Sequence, residues 1–144
     1  VVYPEHEKKY KMLHNDSHKF ESSFVTLEIP KNHSVMLGSL SGCKIGAWVA
    51  HGEGKFDFPY GEKDYHIIAK YNYDGYPANP NGSPWAVAGV CSHDGRHLAM
   101  MPHPERAMFP WQCGYYPAEH SHDEVTPWIE AFVNARKWIE ANKH

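Results

Sequence analysis

The sequence has no CxxC pair, no apolar run of about 18 residues, no signal-peptide pattern and no initiator methionine. Its three cysteines, Cys43, Cys91 and Cys113, are odd in number and widely spaced. That excludes a disulfide scaffold and a zinc ribbon, and it suits a reducing cytoplasm. Charge of one sign is also missing. Fourteen Lys and Arg stand against 17 Asp and Glu, a formal charge of −3. Nothing there selects nucleic acid or an anionic membrane as partner. Internal repeats and low-complexity linkers are absent. The chain begins Val1-Val2-Tyr3-Pro4, which reads as a processed product or a piece of something longer.

What is present is one domain's length, 144 residues, with 42% hydrophobic and 22% charged residues. Such a chain builds a core without staples. Alternation and stop signals predict strands at 24–29, 43–51, 55–58, 66–71, 86–92 and 97–101. Residues 5–19 read as polar, with a turn at Asn15-Asp16-Ser17, and residues 76–84 as a turn-rich loop. Asp94-Gly95 is a hairpin signal that pairs Cys91 with Leu98 and His93 with Arg96. Residues 125–141 are predicted helical, with Trp128, Phe132, Ala135 and Ile139 as the core stripe and Asp123 and Glu124 at the N-terminal end. The fold class is therefore α/β. It has a hairpin and a C-terminal helix, but few of the helices that a complete doubly wound sheet needs.

Cys91 looks like an elbow nucleophile, but an elbow lies at a strand-to-helix turn. Here strand, turn and strand follow one another, so Cys91 reads as a small buried hydrophobe. Neither Cys43 nor Cys113 has elbow context. Met101-Pro102-His103-Pro104-Glu105-Arg106 differs. Residues before proline are pushed to extended geometry, which places His103 and Glu105 on one face. A carboxylate on one ring nitrogen leaves the other free as a base. From spacing alone, a surface ion pair with Arg106 as the partner of Glu105 stands equally well. The twelve histidines give no zinc spacing. His93 and His97 straddle the hairpin and point to opposite faces, and His120 and His122 lie in a loop, so no metal is expected. His51-Gly52-Glu53-Gly54 ends a strand, where glycines permit positive φ and close approach of a ligand, or a plain bulge. Asn79-Pro80-Asn81-Gly82-Ser83 is a tight turn or the wall of a site.

Together, HGEG (51–54), PANPNGSP (77–84), the Asp-Gly hairpin, MMPHPER (100–106) and TPWIEAFVNARK (126–137) occur in order. With Asn15-Asp16-Ser17-His18-Lys19-Phe20-Glu21, they resemble the class I glutamine amidotransferase domain of the phosphoribosylformylglycinamidine synthases. The resemblance spans roughly residues 13–138. The small separate glutaminase subunit of the same pathway shares several motifs, but the terminal PW…F.NARK stretch looks more like the large single-chain form. Other class I glutaminases, or a non-catalytic module reusing the scaffold, are the alternatives.

The resemblance implies the C-terminal half of a flavodoxin-like domain, with a mixed sheet, over residues 1–144. It implies glutamine hydrolysis through a cysteinyl thioester, with ammonia passed to a synthase domain that uses ATP and Mg. His103 would be the base and Glu105 its orienting group. His51, Gly52 and Glu53 would hold glutamine, with Asn81, Gly82 and Ser83 as a wall. No cofactor is expected in the fragment itself. The family nucleophile lies upstream of the N-x-S-x-[RK]-F-E segment, and residues 1–14 hold no cysteine. The chain alone is therefore expected not to hydrolyse glutamine. Its partner would be the rest of its own polypeptide, and bare apolar sheet would favour self-association.

Overall fold

The computed structural model describes residues 2–143. Among the described residues there are seven strands and one α-helix: β1 (Lys11–Leu13), β2 (Glu21–Glu28), β3 (Lys44–His51), β4 (Lys55–Asp57), β5 (His66–Tyr71), β6 (Val87–Cys91), β7 (Leu98–Met100) and α1 (Trp128–Ala141). Five form a sheet in the order β3-β2-β5-β6-β7, and β1 pairs with β4 in a separate ribbon. Every ladder among the described residues is antiparallel. The predicted strands are all found. The exception runs the other way: β1 lies in the segment read as polar, because pairing of Met12 with buried Phe56 makes it a strand.

Period-two alternation builds the main ladder. Val25 and Leu27 on β2 and Ile45, Ala47 and Val49 on β3 all point into one core, which also takes Leu37, Leu40, Ile68, Trp128 and Ala131. β6 is buried along its whole length. Ala88 and Cys91 belong to that larger core, while Val87 and Val90 face a second, aromatic one with Tyr3, Phe56 and Tyr65. The β1–β4 ribbon and the N-terminal residues therefore cover one face of the sheet, and α1 covers the other.

The hairpin keeps its expected register, Cys91 with Leu98. It closes differently, however. His97 O accepts from Ser92 N at 2.8 Å, and Ser92 O from Gly95 N at 2.9 Å. His93 to Arg96 are thus loop residues, and Gly95 takes φ +71°. The Asp94 carboxylate accepts from Arg96 N and from the Ser92 hydroxyl, which fixes the wider turn.

The helix starts later than predicted, and it buries a different stripe. Thr126 spends its N–H on Met108 O and its hydroxyl on Ala107 O, so it anchors the preceding loop instead of extending the helix. Trp128 and Ala131 are fully buried, whereas Phe132 is 38% exposed and Ile139 55%. The helix meets the core only along its first turns. Beyond them, Asn134 donates to Met36 O and Ser39 Oγ at the rim. Among the described residues, exposed large apolar side chains include Phe132 and Ile139 on this helix, Phe20, Trp111 and Tyr115 in loops, and Leu13 on β1. Trp128 also donates its indole N–H to Gly46 O at 2.8 Å. Trp128→Ala should destabilise by about 3–5 kcal/mol, read from the shift in a urea unfolding curve.

Candidate active site

His103 is set by its flanking prolines and by β3. Its backbone is extended (φ −103°, ψ 90°). Its N–H donates to Trp48 O at 2.7 Å, which makes an isolated antiparallel bridge onto β3. From there the chain does not continue extended. Pro104 opens a 3₁₀ turn over Pro104–Arg106, and Ala107 N donates to Pro104 O at 3.0 Å. Proline's fixed φ suits the first position of a helical turn. The turn folds Glu105 back, and its Oε1 lies 2.6 Å from His103 Nδ1. The expected pair exists, but a turn makes it, not shared sidedness along a strand. Arg106 is the weaker partner, at 4.0 Å from the same oxygen. A carboxylate accepting from Nδ1–H leaves Nε2 as the free, basic nitrogen. The His103 side chain is 33% exposed, so that nitrogen has room for a reactant.

Beside it, the His51–Gly54 turn is held by one buried side chain. Asn15 is fully buried. Its Nδ2 donates to His51 O (2.8 Å) and Lys19 O (3.0 Å), and its Oδ1 accepts from Gly54 N (3.0 Å). Asn15 N donates to Gly52 O at 2.9 Å. The glycines of this turn do not carry positive φ; that conformation falls at Gly42, Gly82 and Gly95. Gly54 is required by close approach instead, since a Cβ there would sit 2.3 Å from the His51 ring. What approaches is the protein's own imidazole. The Glu53 carboxylate points to solvent near His14.

The 79–83 stretch is a closed network. Asn81 donates to the Tyr71 hydroxyl and accepts from Ser83 N and Ser83 Oγ. Asn79 donates to Ser83 O and accepts from Gly82 N. Ser83 Oγ accepts from Phe56 N. The Asn81 and Ser83 side chains are thus committed inward, while Asn79, Pro80 and Gly82 border an open groove of about 490 Å³ with Asp16, Ser17 and Lys19. Two strained residues follow, Trp85 and Ala86, each at φ +54°. Trp85 stacks on Phe58 at 5.6 Å.

All three cysteines are free. Cys91 is fully buried, and burial, with Asp94 adding to it, pushes its thiol up to about 11. Burial also raises the Cys113 thiol, which donates to Phe109 O. A nucleophilic cysteine needs the opposite shift. His93 and His97 diverge, the first toward His66 and the second toward Ser92 and Asp94. Among the described residues no three His, Cys, Asp or Glu side chains gather as a metal set.

Residues 2–139 match the family model described as the CobB/CobQ-like glutamine amidotransferase domain. The chain belongs to that family. It is 41% identical to a probable phosphoribosylformylglycinamidine synthase, chloroplastic/mitochondrial, of Arabidopsis thaliana, over 91% of this chain and 10% of the relative. The phosphoribosylformylglycinamidine synthases of Drosophila melanogaster and Homo sapiens are each 42% identical, over 92% and 88% of this chain and 11% and 10% of their own. The chain thus spans about a tenth of the length of these curated relatives. The solved structure of PurLQS from Thermotoga maritima aligns with a TM-score of 0.66 at 25% identity, over 92% of this chain and 54% of that one. Every motif that carried the resemblance lies inside the matched span.

Sequence reasoning missed Asn15 as the hub of the site, and it missed Glu21. A signal for Glu21 existed: alternation along β2 puts it on the face of Val25 and Leu27, where a carboxylate is out of place.

Asn15→Ala removes three side-chain bonds and leaves Gly54 N without its acceptor, so it should cost roughly 2–4 kcal/mol in urea unfolding. A pH effect follows from the imidazoles. Burial first, then the nearby His103, lowers the His51 pKa; burial, His33 and His93 lower that of His66. The unfolded chain therefore binds more protons just below pH ~6.5. The stability from keeping these rings neutral is complete above that pH and shrinks as pH falls through it toward the folded values. Thermal melts should drop as pH falls below ~6.5, and a His51→Gln, His66→Gln double variant should flatten that slope.

Proposed function

We propose that this chain is glutaminase-domain sequence of a phosphoribosylformylglycinamidine synthase, releasing ammonia from glutamine for an ATP- and Mg-dependent synthase domain of the same polypeptide. The observation that carries this reading is the 2.6 Å His103–Glu105 pair, docked on β3 beside the His51–Gly54 turn. Glu105 accepts from Nδ1 and fixes the tautomer. His103 Nε2 takes the proton of a cysteine thiol as it attacks the carboxamide carbon, then gives that proton to the departing nitrogen. Water hydrolyses the thioester with the same base. The identity of the relatives supports the choice of synthase.

Cys91 and Cys113 are disfavoured as thiolates, and among the described residues no hydrogen bond joins any of the three thiols to His103. The nucleophile is therefore supplied from outside these 144 residues, and the chain by itself does not turn glutamine over. Gly82 lines the substrate side, and Asn81 and Ser83 act behind it as support; Gly52 and Glu53 bound the glutamine pocket through their backbone. The setting is the cytoplasm, which suits three free thiols. Among the described residues no helix is long and apolar enough to cross a membrane.

In the complete synthase, His103→Ala should lower glutamine-dependent turnover by about 10³-fold or more. Turnover should persist when ammonium salt replaces glutamine. Glu105→Gln should give a smaller loss in the same direction. Equal loss with both nitrogen donors would refute the assignment.

A further inference from the structure

The β2–β3 ladder ends with Glu21 directly opposite His51. Both side chains lie on the face that buries Val25, Leu27, Ala47 and Val49, and they are only 9% and 8% exposed. Buried polar atoms in folded proteins are almost always paired. Here Glu21 Oε1 and both ring nitrogens of His51 have no hydrogen-bond partner among the described residues. Three unpaired polar atoms meet at one end of the sheet, next to the proposed base.

Directly opposed residues of an antiparallel ladder keep their Cβ atoms about 4.5–5.5 Å apart. Side-chain rotation can therefore bring the Glu21 carboxylate to one nitrogen of His51, which satisfies two of the three atoms. The other nitrogen stays unpaired. The ring cannot swing away from it, because Gly54 packs against one side and Asn15 ties the backbone at His51 and Gly54. Burial lowers the pKa of this imidazole and so favours its neutral form. A neutral imidazole that donates through one nitrogen to a carboxylate offers the other as an acceptor only. The remaining atom therefore asks for an N–H donor.

We propose that Glu21 and His51 form a buried relay that presents one lone pair to the carboxamide N–H of glutamine, making this pair the element that accepts glutamine and rejects glutamate. The inference rests on the glutaminase reading above and extends it to substrate discrimination. A carboxamide brings two N–H donors, whereas a carboxylate brings none and sets its lone pairs against that of His51. A site built to pair with a substrate donor discriminates strongly against an analogue that lacks it. Its place beside His103 puts the contact at the carboxamide end, where the nitrogen departs. Once hydrolysis has turned carboxamide into carboxylate, the same contact becomes repulsive and favours release of the product.

The test compares, in the complete synthase, KM for glutamine with the inhibition constant for glutamate, in wild type, His51→Phe and Glu21→Gln. Phenylalanine keeps a ring over Gly54 but has no acceptor. The expected result is a glutamine KM raised about tenfold or more in His51→Phe, with the glutamate constant unchanged or lower. The ratio of the two constants then narrows at least tenfold. Glu21→Gln should narrow it in the same direction by less. Both constants rising together, or neither moving, would overturn the proposal, because a merely structural role weakens the two ligands alike. Ammonia-dependent turnover reports folding of the rest of the enzyme. If His51→Phe loses that too, Glu21→Gln alone decides by the same ratio. Failure of the underlying reading is seen separately: wild type would then use ammonium salt but not glutamine.

Discussion

The structure turns on the side chain of Asn15. Its carboxamide is buried, and it joins the segment before β2 to the turn after β3 through His51 O, Lys19 O and Gly54 N. An irregular turn buried at the end of a sheet leaves backbone groups that water cannot reach, and each must find a partner. Asn15 meets that need from one position, because an amide can donate twice and accept as well. The left-handed His18 follows it, with its N–H on Asn15 O. Remove this cross-link and His51 loses the backbone that aims it, and the groove beside Gly82 loses an edge.

Asn79, Asn81 and Ser83 do comparable work on the far side. Their bonds close on each other, on Tyr71 and on Phe56 N, so a loop that cannot form a regular element is nonetheless rigid. Buried polar networks of this kind fix one geometry because any half-satisfied alternative is costly. The contrast with Glu21 and His51 is informative. The buried amides of Asn15, Asn79 and Asn81 are satisfied, whereas that pair and the Ser17 hydroxyl are not. Unsatisfied groups inside an otherwise satisfied environment are where a ligand's own polar atoms fit.

Much of the fold could be read in advance. Alternating apolar residues located β2 to β7 because a half-buried strand imposes a period of two. Asp94-Gly95 set the register of the last hairpin, although the turn proved wider once Asp94 and Ser92 used their own side chains on it. The candidate site was legible only as residue types. The structure pairs His103 with Glu105, but through a turn and not through extension, because Pro104 starts a turn as readily as it extends a strand. The glycine of the HGEG turn marked a close approach, but the sequence did not reveal that the approaching group was His51 itself.

What the sequence determined alone was what depends on near neighbours: strand periodicity, the hairpin, the helix, and the local His103–Glu105 spacing. Tertiary structure decided which faces were buried and which polar atoms were paired. It left Phe132 and Ile139 in the open, since α1 reaches the core only through Trp128 and Ala131. It brought Asn15 to Gly54 and Glu21 to His51 across intervals of 39 and 30 residues. The physical reason is that the loss of water around a polar group is collective. Whether an amide or carboxylate has a partner depends on every segment that packs over it, and no local pattern records that.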